Sequence, residues 1–448
     1  MKNDKRILDL YEQNREFWDK KINDGIEKNR KGDFFVRVTD KNGNAVSGAT
    51  LSVRLKNHAF RFGANIFMLD EMESEYKNST YKEYFKNLFN LATLPFYWCD
   101  LEPEKGKTRY KKGSPKVYRR PSPDLCLEFC EENGIEAREH ALAYEHFFPD
   151  WLKDADTDTV KRELERRYYE ISERYADKCP TVEITNEMEW NKGKTKFYDD
   201  KDFIKYCFEL GEKYFRGNTL CSNEHTWLCW ADRCRATDKY YSYIEANMLK
   251  GARIDAIGMQ YHLFYRAEKL YEETRTLLDP NSIYGHMNLY SNLSNNLQVT
   301  EVTVPSYSWE EDDEQLQADV VEFLYSIWFS HPSVTQIIYW NLVDGYAYCP
   351  DSDPVKIRET QGNMEIGENY YHGGLLRFDM TPKKAYFKLM ELIKDKWSTN
   401  IEISSDENGL ALFRGFFGDY EVRISVDGKE VDVRASFTSG ENTLSVVI

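Results

Sequence analysis

The chain has 448 residues, of which 41% are hydrophobic, 15% aromatic and 30% charged, with a formal net charge of −16. That length points to one large domain with a smaller one beside it, and the hydrophobic content excludes global disorder. The negative charge excludes a nucleic-acid partner, which needs a basic face, and no run is long and apolar enough to make the bilayer a partner.

Residues 1–33 read as an amphipathic helix and a charged linker. The start carries no apolar segment of the secretory kind. The nine cysteines are irregularly spaced, with Cys126/Cys130 and Cys229/Cys234 the only close pairs. Free thiols in a reducing cytoplasm are expected, although a secreted chain that had shed its leader would read the same way. Asp33–Leu55 alternates in the strand manner with turns at Asn42-Gly43 and Ser47-Gly48, which predicts a β-hairpin.

From about Ala59 a repeated strand–loop–helix rhythm begins. Strands are expected near Phe60–Ile66, Leu91–Tyr97, Ile135–Leu142, Thr181–Asn186, Thr219–Asn223, Ala256–Tyr261, Gln298–Val302 and Thr335–Trp340. Helices such as Thr159–Ala176, Asp202–Tyr214 and Glu314–Phe329 lie between them. Eight such units predict an α/β fold, a (β/α)8 TIM barrel over residues 59–397. A doubly wound open sheet is the alternative, disfavoured because Phe62-Gly63-Ala64-Asn65 has one glycine where a phosphate loop needs several. Residues 398–448 alternate again, with turns at Asn408-Gly409, Asp427-Gly428 and Ser439-Gly440. Together with residues 1–58 they predict an accessory β-sandwich module, its Phe413, Phe416, Phe417 and Tyr420 sealing it to the barrel. No sequence signal specifies an oligomeric state.

Thr181–Asn186 is a short apolar strand that runs out into Asn186 and Glu187. Leu297–Val304 is a second, carrying Glu301. In a closed barrel both would open onto the same carboxyl-end face, where such folds gather reactive side chains. Cleaving a glycosidic bond needs a proton for the leaving oxygen and a nucleophile or base opposite, and two carboxyl groups suffice. Polar residues recur at the other strand ends: His140, Asn223-Glu224-His225, Gln260 with His262, and Trp340.

As an ordered set over roughly 60–395, these motifs resemble glycoside hydrolase family 10, the retaining endo-β-1,4-xylanases. Val182-Glu183-Ile184-Thr185-Asn186-Glu187 is similar to the family's W-D-V-V-N-E, and Val299-Thr300-Glu301-Val302 to I-T-E-L. The resemblance implies Glu187 as acid/base, Glu301 as nucleophile and Asn186 as ligand of the sugar 2-hydroxyl. Glu139-His140-Ala141-Leu142 through Trp151 follows G-H-T-L-V-W-H-S-Q-x-P-x-W, which implies that His140 holds the sugar. Asn223-Glu224-His225 sits where the family has N-D-Y. Ile257–Leu263 resembles I-G-x-Q-x-H-L, with Gln260 and His262 orienting Glu301. Ile338–Gly345 resembles T-x-W-G-V-x-D-G, with Trp340 as an apolar floor.

The departures bear on substrate. The family's polar E-N-E-M-K-W on the second strand is here Thr93-Leu94-Pro95-Phe96-Tyr97-Trp98, which implies a more apolar site. Tyr144 and Tyr348 stand where the family has tryptophans, Glu145 replaces a histidine, and Thr303 replaces the aspartate after the nucleophile. A long loop, Cys349–Tyr371, is inserted before Gly373-Gly374. The resemblance implies a carbohydrate partner, a xylan-derived oligosaccharide or related β-glycoside, and no metal or organic cofactor. A barrel that binds carbohydrate without cleaving it, or a transglycosylase using the same intermediate, would share these motifs.

Overall fold

A computed structural model describes residues 5–190, 193–230, 234–349, 362 and 364–448. The amino-terminal helix Arg15–Arg30 buries Trp18, Ile22 and Ile26, and packs on the helix Glu311–Ser330. No linker follows it. β1 (Lys31–Thr39) begins at once and is followed by β2 (Thr50–His58).

These two strands do not form the expected hairpin. β1 pairs antiparallel with β12 (Leu410–Phe416), Phe35 opposite Leu412, and parallel with β15 (Thr443–Val447), Val36 opposite Leu444. β2 joins a second sheet with β11 (Asn400–Ser404), β13 (Gly418–Val426) and β14 (Lys429–Phe437). The chain does turn near Asp40, whose Oδ1 accepts the Asn42 and Asn44 amides at 2.8 Å. The strands leaving that turn then pair with strands near the carboxyl terminus instead. Alternate residues of both sheets, including Phe34, Val36, Val53, Phe413, Val422 and Phe437, fill one shared core.

Phe413 and Tyr420 therefore belong to the sandwich interior, and of the four expected seal residues Phe416 is the one in the barrel's cluster. It lies 5.5 Å from the His58 ring and 6.2 Å from Phe329. Arg30 adds charge-assisted bonds to the carbonyls of Phe329 and, at 2.8 Å, Val334. This seam sits where the chain enters the first and last barrel strands, at the end opposite the carboxyl-end face.

The barrel closes through β3 (Arg61–Asn65), β4 (Leu91–Pro95), β5 (Glu136–His140), β6 (Thr181–Asn186), β7 (Thr219–Glu224), β8 (Ala256–His262), β9 (Leu297–Thr303) and β10 (Val334–Tyr339), with β10 beside β3. All pairings are parallel, and β4, β6, β8 and β9 are buried at every residue. Burial on both faces is why these strands read as apolar runs rather than alternations. The pattern breaks at the carboxyl ends, where the strands finish in Asn65, His140, Asn186, Glu224, His262 and Thr303. Among the described residues no helix is long and apolar enough to cross a membrane. Most of the inserted loop Cys349–Tyr371 lies outside the described residues; its end, Gly367–Tyr371, is a short 3-10 helix.

Candidate active site

Glu187 is the first residue past β6. Its φ of 49° is left-handed, a conformation that costs a non-glycine residue about 1–3 kcal/mol and concentrates at functional sites. The turn is held by its own amide, which donates to the Asn223 carbonyl at 3.1 Å.

Glu301 is placed by an irregularity. Met259 and Tyr261 of β8 pair with Val299 and Val302 of β9, and Ile337 and Tyr339 of β10 pair with the same two residues. Two steps on each neighbour face three on β9, so β9 carries a bulge at Thr300-Glu301. Bulges re-aim side chains beside active sites. Here consecutive residues both reach inward: the Thr300 hydroxyl donates to Asn223 Oδ1 at 2.6 Å, and Asn223 Nδ2 donates to Glu301 Oε1 at 2.9 Å. Thr300 thereby sets which way the Asn223 amide points. Gly258 makes room for it, since a Cβ there would lie 2.6 Å from Asn223 Oδ1.

One amide spans the two carboxylates. Gln260 Nε2 lies 2.8 Å from Glu187 Oε1 and 3.1 Å from Glu301 Oε1. The two Oε1 atoms are therefore no farther apart than those distances laid end to end. The Tyr144 hydroxyl donates to Glu187 Oε2 at 2.6 Å. His262 Nε2 faces Glu301 Oε2 at 3.2 Å. Burial pushes the Glu301 carboxyl up to about 8, with the Glu187 charge adding to the shift and His140 opposing it. Burial pushes His262 down to about 4.

The expected site residues sort into two layers. Glu187, Glu301, Asn186, His262, Trp340, Tyr144 and Tyr348 line a cleft of about 250 Å3. His140, Asn223 and Gln260 stand behind it, each 1% exposed or less. His140, expected to hold the sugar, is tied to protein on both sides, with Nδ1 2.8 Å from Glu183 Oε1 and Nε2 3.0 Å from the Tyr97 hydroxyl. Burial would raise Glu183, but His140 and Arg138 hold it below its usual range, Arg138 through a 2.6 Å ion pair.

Sequence reasoning missed several cleft residues. Phe67 stands 5.1 Å from Trp340, edge to face. Trp190, 47% exposed, stacks on His225 at 3.9 Å beside Glu187 and offers a flat platform. Arg119, Arg120 and Glu368 also line the cleft. The second strand is apolar as expected, yet this end of the cleft is not, because both arginines arrive from the loop that follows it. Only the arginine pair itself, in a chain otherwise acidic, could have flagged them. Glu145 does not line the cleft and bonds Thr195 instead.

A closed parallel barrel with two glutamates meeting at its carboxyl-end face is the architecture of a glycoside-hydrolase barrel. The sequence profile of glycosyl hydrolase family 10 matches residues 55–390, and the chain belongs to that family. It is 25% identical over 441 residues to the anti-sigma-I factor RsgI6 of Acetivibrio thermocellus, covering 95% of this chain and 49% of that protein. It is 23% identical over 428 residues to endo-1,4-beta-xylanase 2 of Arabidopsis thaliana, covering 94% of this chain and 35% of that one. The chain thus spans no more than about half the length of these two relatives. Its fold superimposes on xylanase 10B from Thermotoga maritima with a TM-score of 0.59 at 19% identity, covering 75% of this chain and 96% of that chain.

Proposed function

We propose that the protein is a retaining β-glycosidase acting on a xylan-derived oligosaccharide or related β-glycoside. The observation that carries this reading is the single Gln260 amide within hydrogen-bond reach of both Glu187 and Glu301. It supports a separation suited to double displacement rather than to a water held between the carboxylates.

In the productive state Glu187 is protonated and Glu301 ionised. Glu301 attacks the anomeric carbon while Glu187 gives its proton to the departing oxygen, leaving a covalent glycosyl ester. Glu187, now a carboxylate, takes a proton from water, whose oxygen attacks the same carbon and releases Glu301. Asn223 and Gln260 hold Glu301 Oε1. Trp340 and Phe67 supply an apolar wall, and Trp190 on His225 supplies a stacking surface on the leaving-group side. The test is release of nitrophenol from a panel of aryl β-glycosides, with reducing-end release from xylan in parallel, for wild type and Glu301→Ala. Turnover that vanishes in the variant supports the pair. Turnover unchanged in the variant, or absent with every substrate, sinks it.

A second reading, a barrel that binds carbohydrate without cleaving it, is favoured by one finding. The relative matched over 95% of this chain is named for anti-sigma activity rather than for hydrolysis. Binding of xylo-oligosaccharide without turnover would select that reading.

A further inference from the structure

Arg119 is a buried charge without a matching one. It is 3% exposed and takes a left-handed φ of 61°. Its Nη2 donates to Asn341 Oδ1 at 2.8 Å, while its Nε is buried with no partner. Among the described residues no carboxylate lies within ion-pair distance of it. Arg120 beside it differs: its Nε meets Asp100 Oδ2 at 2.8 Å, and its cation lies 4.1 Å from the Tyr97 ring centre. Enclosing a guanidinium without a counter-ion is costly, and a left-handed backbone at a non-glycine residue adds strain. Structures keep such costs where a ligand repays them.

The location shows which ligand. Arg119 lines the same cleft as Glu187 and Glu301. It stands on the Phe67 side, 5.8 Å from that ring, whereas Trp190 and His225 flank Glu187. Glu368 is the acid whose charge acts most on it, but Asn341 bridges the two. Asn341 Oδ1 takes the arginine, and its Nδ2 reaches Glu368 Oε2 at 3.5 Å. With Glu187, Glu301 and Glu368 on one cleft and Arg120 paired with Asp100, Arg119 is, among the described residues, the arginine of the cleft left for an anionic sugar. A planar fork of N–H donors suits a carboxylate, whereas a neutral hydroxyl would leave the charge unmatched.

We propose that Arg119 recognises a carboxylate on the non-leaving part of the substrate, so that the preferred glycan carries a uronic acid at that end of the cleft. The assignment of that end rests on the two-glutamate reading above; the carboxylate preference itself does not.

The experiment is calorimetric titration of wild type and of the cleavage-silenced Glu301→Gln variant with matched pairs. The pairs are nitrophenyl β-glucuronide against nitrophenyl β-glucoside, and aldotetraouronic acid against xylotetraose. One charge-assisted contact predicts that the acid of at least one pair binds about 10–100-fold tighter. That preference should shrink with added salt, collapse in Arg119→Met and persist in part in Arg119→Lys. No acid preference in either pair, or one that survives Arg119→Met, overturns the proposal. If Arg119→Met does not fold, a preference in wild type that ignores salt overturns it. The outcomes separate from those of the glycosidase test. Turnover without acid preference removes the arginine proposal alone, and acid-selective binding without turnover removes hydrolysis alone.

Discussion

His262 Nδ1 stands 2.9 Å from the Thr303 hydroxyl, and that hydroxyl stands 2.7 Å from the Trp340 carbonyl. A carbonyl can only accept, and a hydroxyl has one proton. Thr303 therefore donates to Trp340 and accepts from His262 Nδ1–H, which leaves Nε2 of the neutral ring as an acceptor. Nε2 faces Glu301 Oε2 at 3.2 Å, so the resting site favours a proton on Glu301.

The pH profile should follow from this. In the proposed mechanism Glu301 must be ionised to attack, and burial lifts its carboxyl to about 8, so kcat/KM should climb with pH toward that value. Thr303→Asp would supply a carboxylate to His262, favour the imidazolium and so favour ionised Glu301. The acid limb of the pH–rate profile should then move down by about one pH unit or more. A limb that stays in place would show that Thr303 has no part in setting it.

Stability should carry the same signature. A Glu301 carboxyl kept protonated in the fold but free to ionise when unfolded stabilises fully below its ordinary value. That contribution is lost as pH climbs through the folded value of about 8. Each tenfold in proton affinity is worth about 1.4 kcal/mol. Glu301→Gln removes the ionisation, so its melting temperature should exceed wild type by a margin growing several degrees between about pH 5 and pH 8. Melting curves at both ends check this; a margin that does not grow contradicts the burial argument.

Glu187→Ala should discriminate between leaving groups. Phenyl and alkyl glycosides, which need the proton, should lose about 10²–10⁴ in kcat/KM. Dinitrophenyl glycosides, which leave without help, should lose far less. Equal losses would mean that Glu187 is not the proton donor.

Gly258→Ala tests the support behind the site without touching the cleft. The added Cβ would sit 2.6 Å from Asn223 Oδ1, displacing the amide that holds Glu301. If Glu301 is the nucleophile, as proposed, its displacement costs about 10²-fold in rate, so kcat should fall by that order while the melting temperature changes little. An unchanged kcat would show that Asn223 does not position Glu301.

Much of this was legible in the chain itself. The β/α rhythm could be read because a parallel strand buried on both faces must be an apolar run, and because each crossover helix must carry an apolar stripe. Glu187 and Glu301 could be read because each interrupts or ends such a run at the barrel's carboxyl-end face. Local signals misled at Asp33–Leu55, where turn chemistry is real but the strands pair elsewhere. They were also silent on β9, where a one-residue bulge turns both Thr300 and Glu301 inward.

Local sequence thus determined the elements, their order and the two glutamates, since propensity and periodicity act over a few residues. Tertiary structure alone decided which strands pair, that His140, Asn223 and Gln260 stand behind the cleft, and that Arg119 comes to its wall. Those outcomes depend on contacts between residues hundreds of positions apart, such as Arg119 with Asn341, and burial and hydrogen-bond geometry exist only once the barrel has closed.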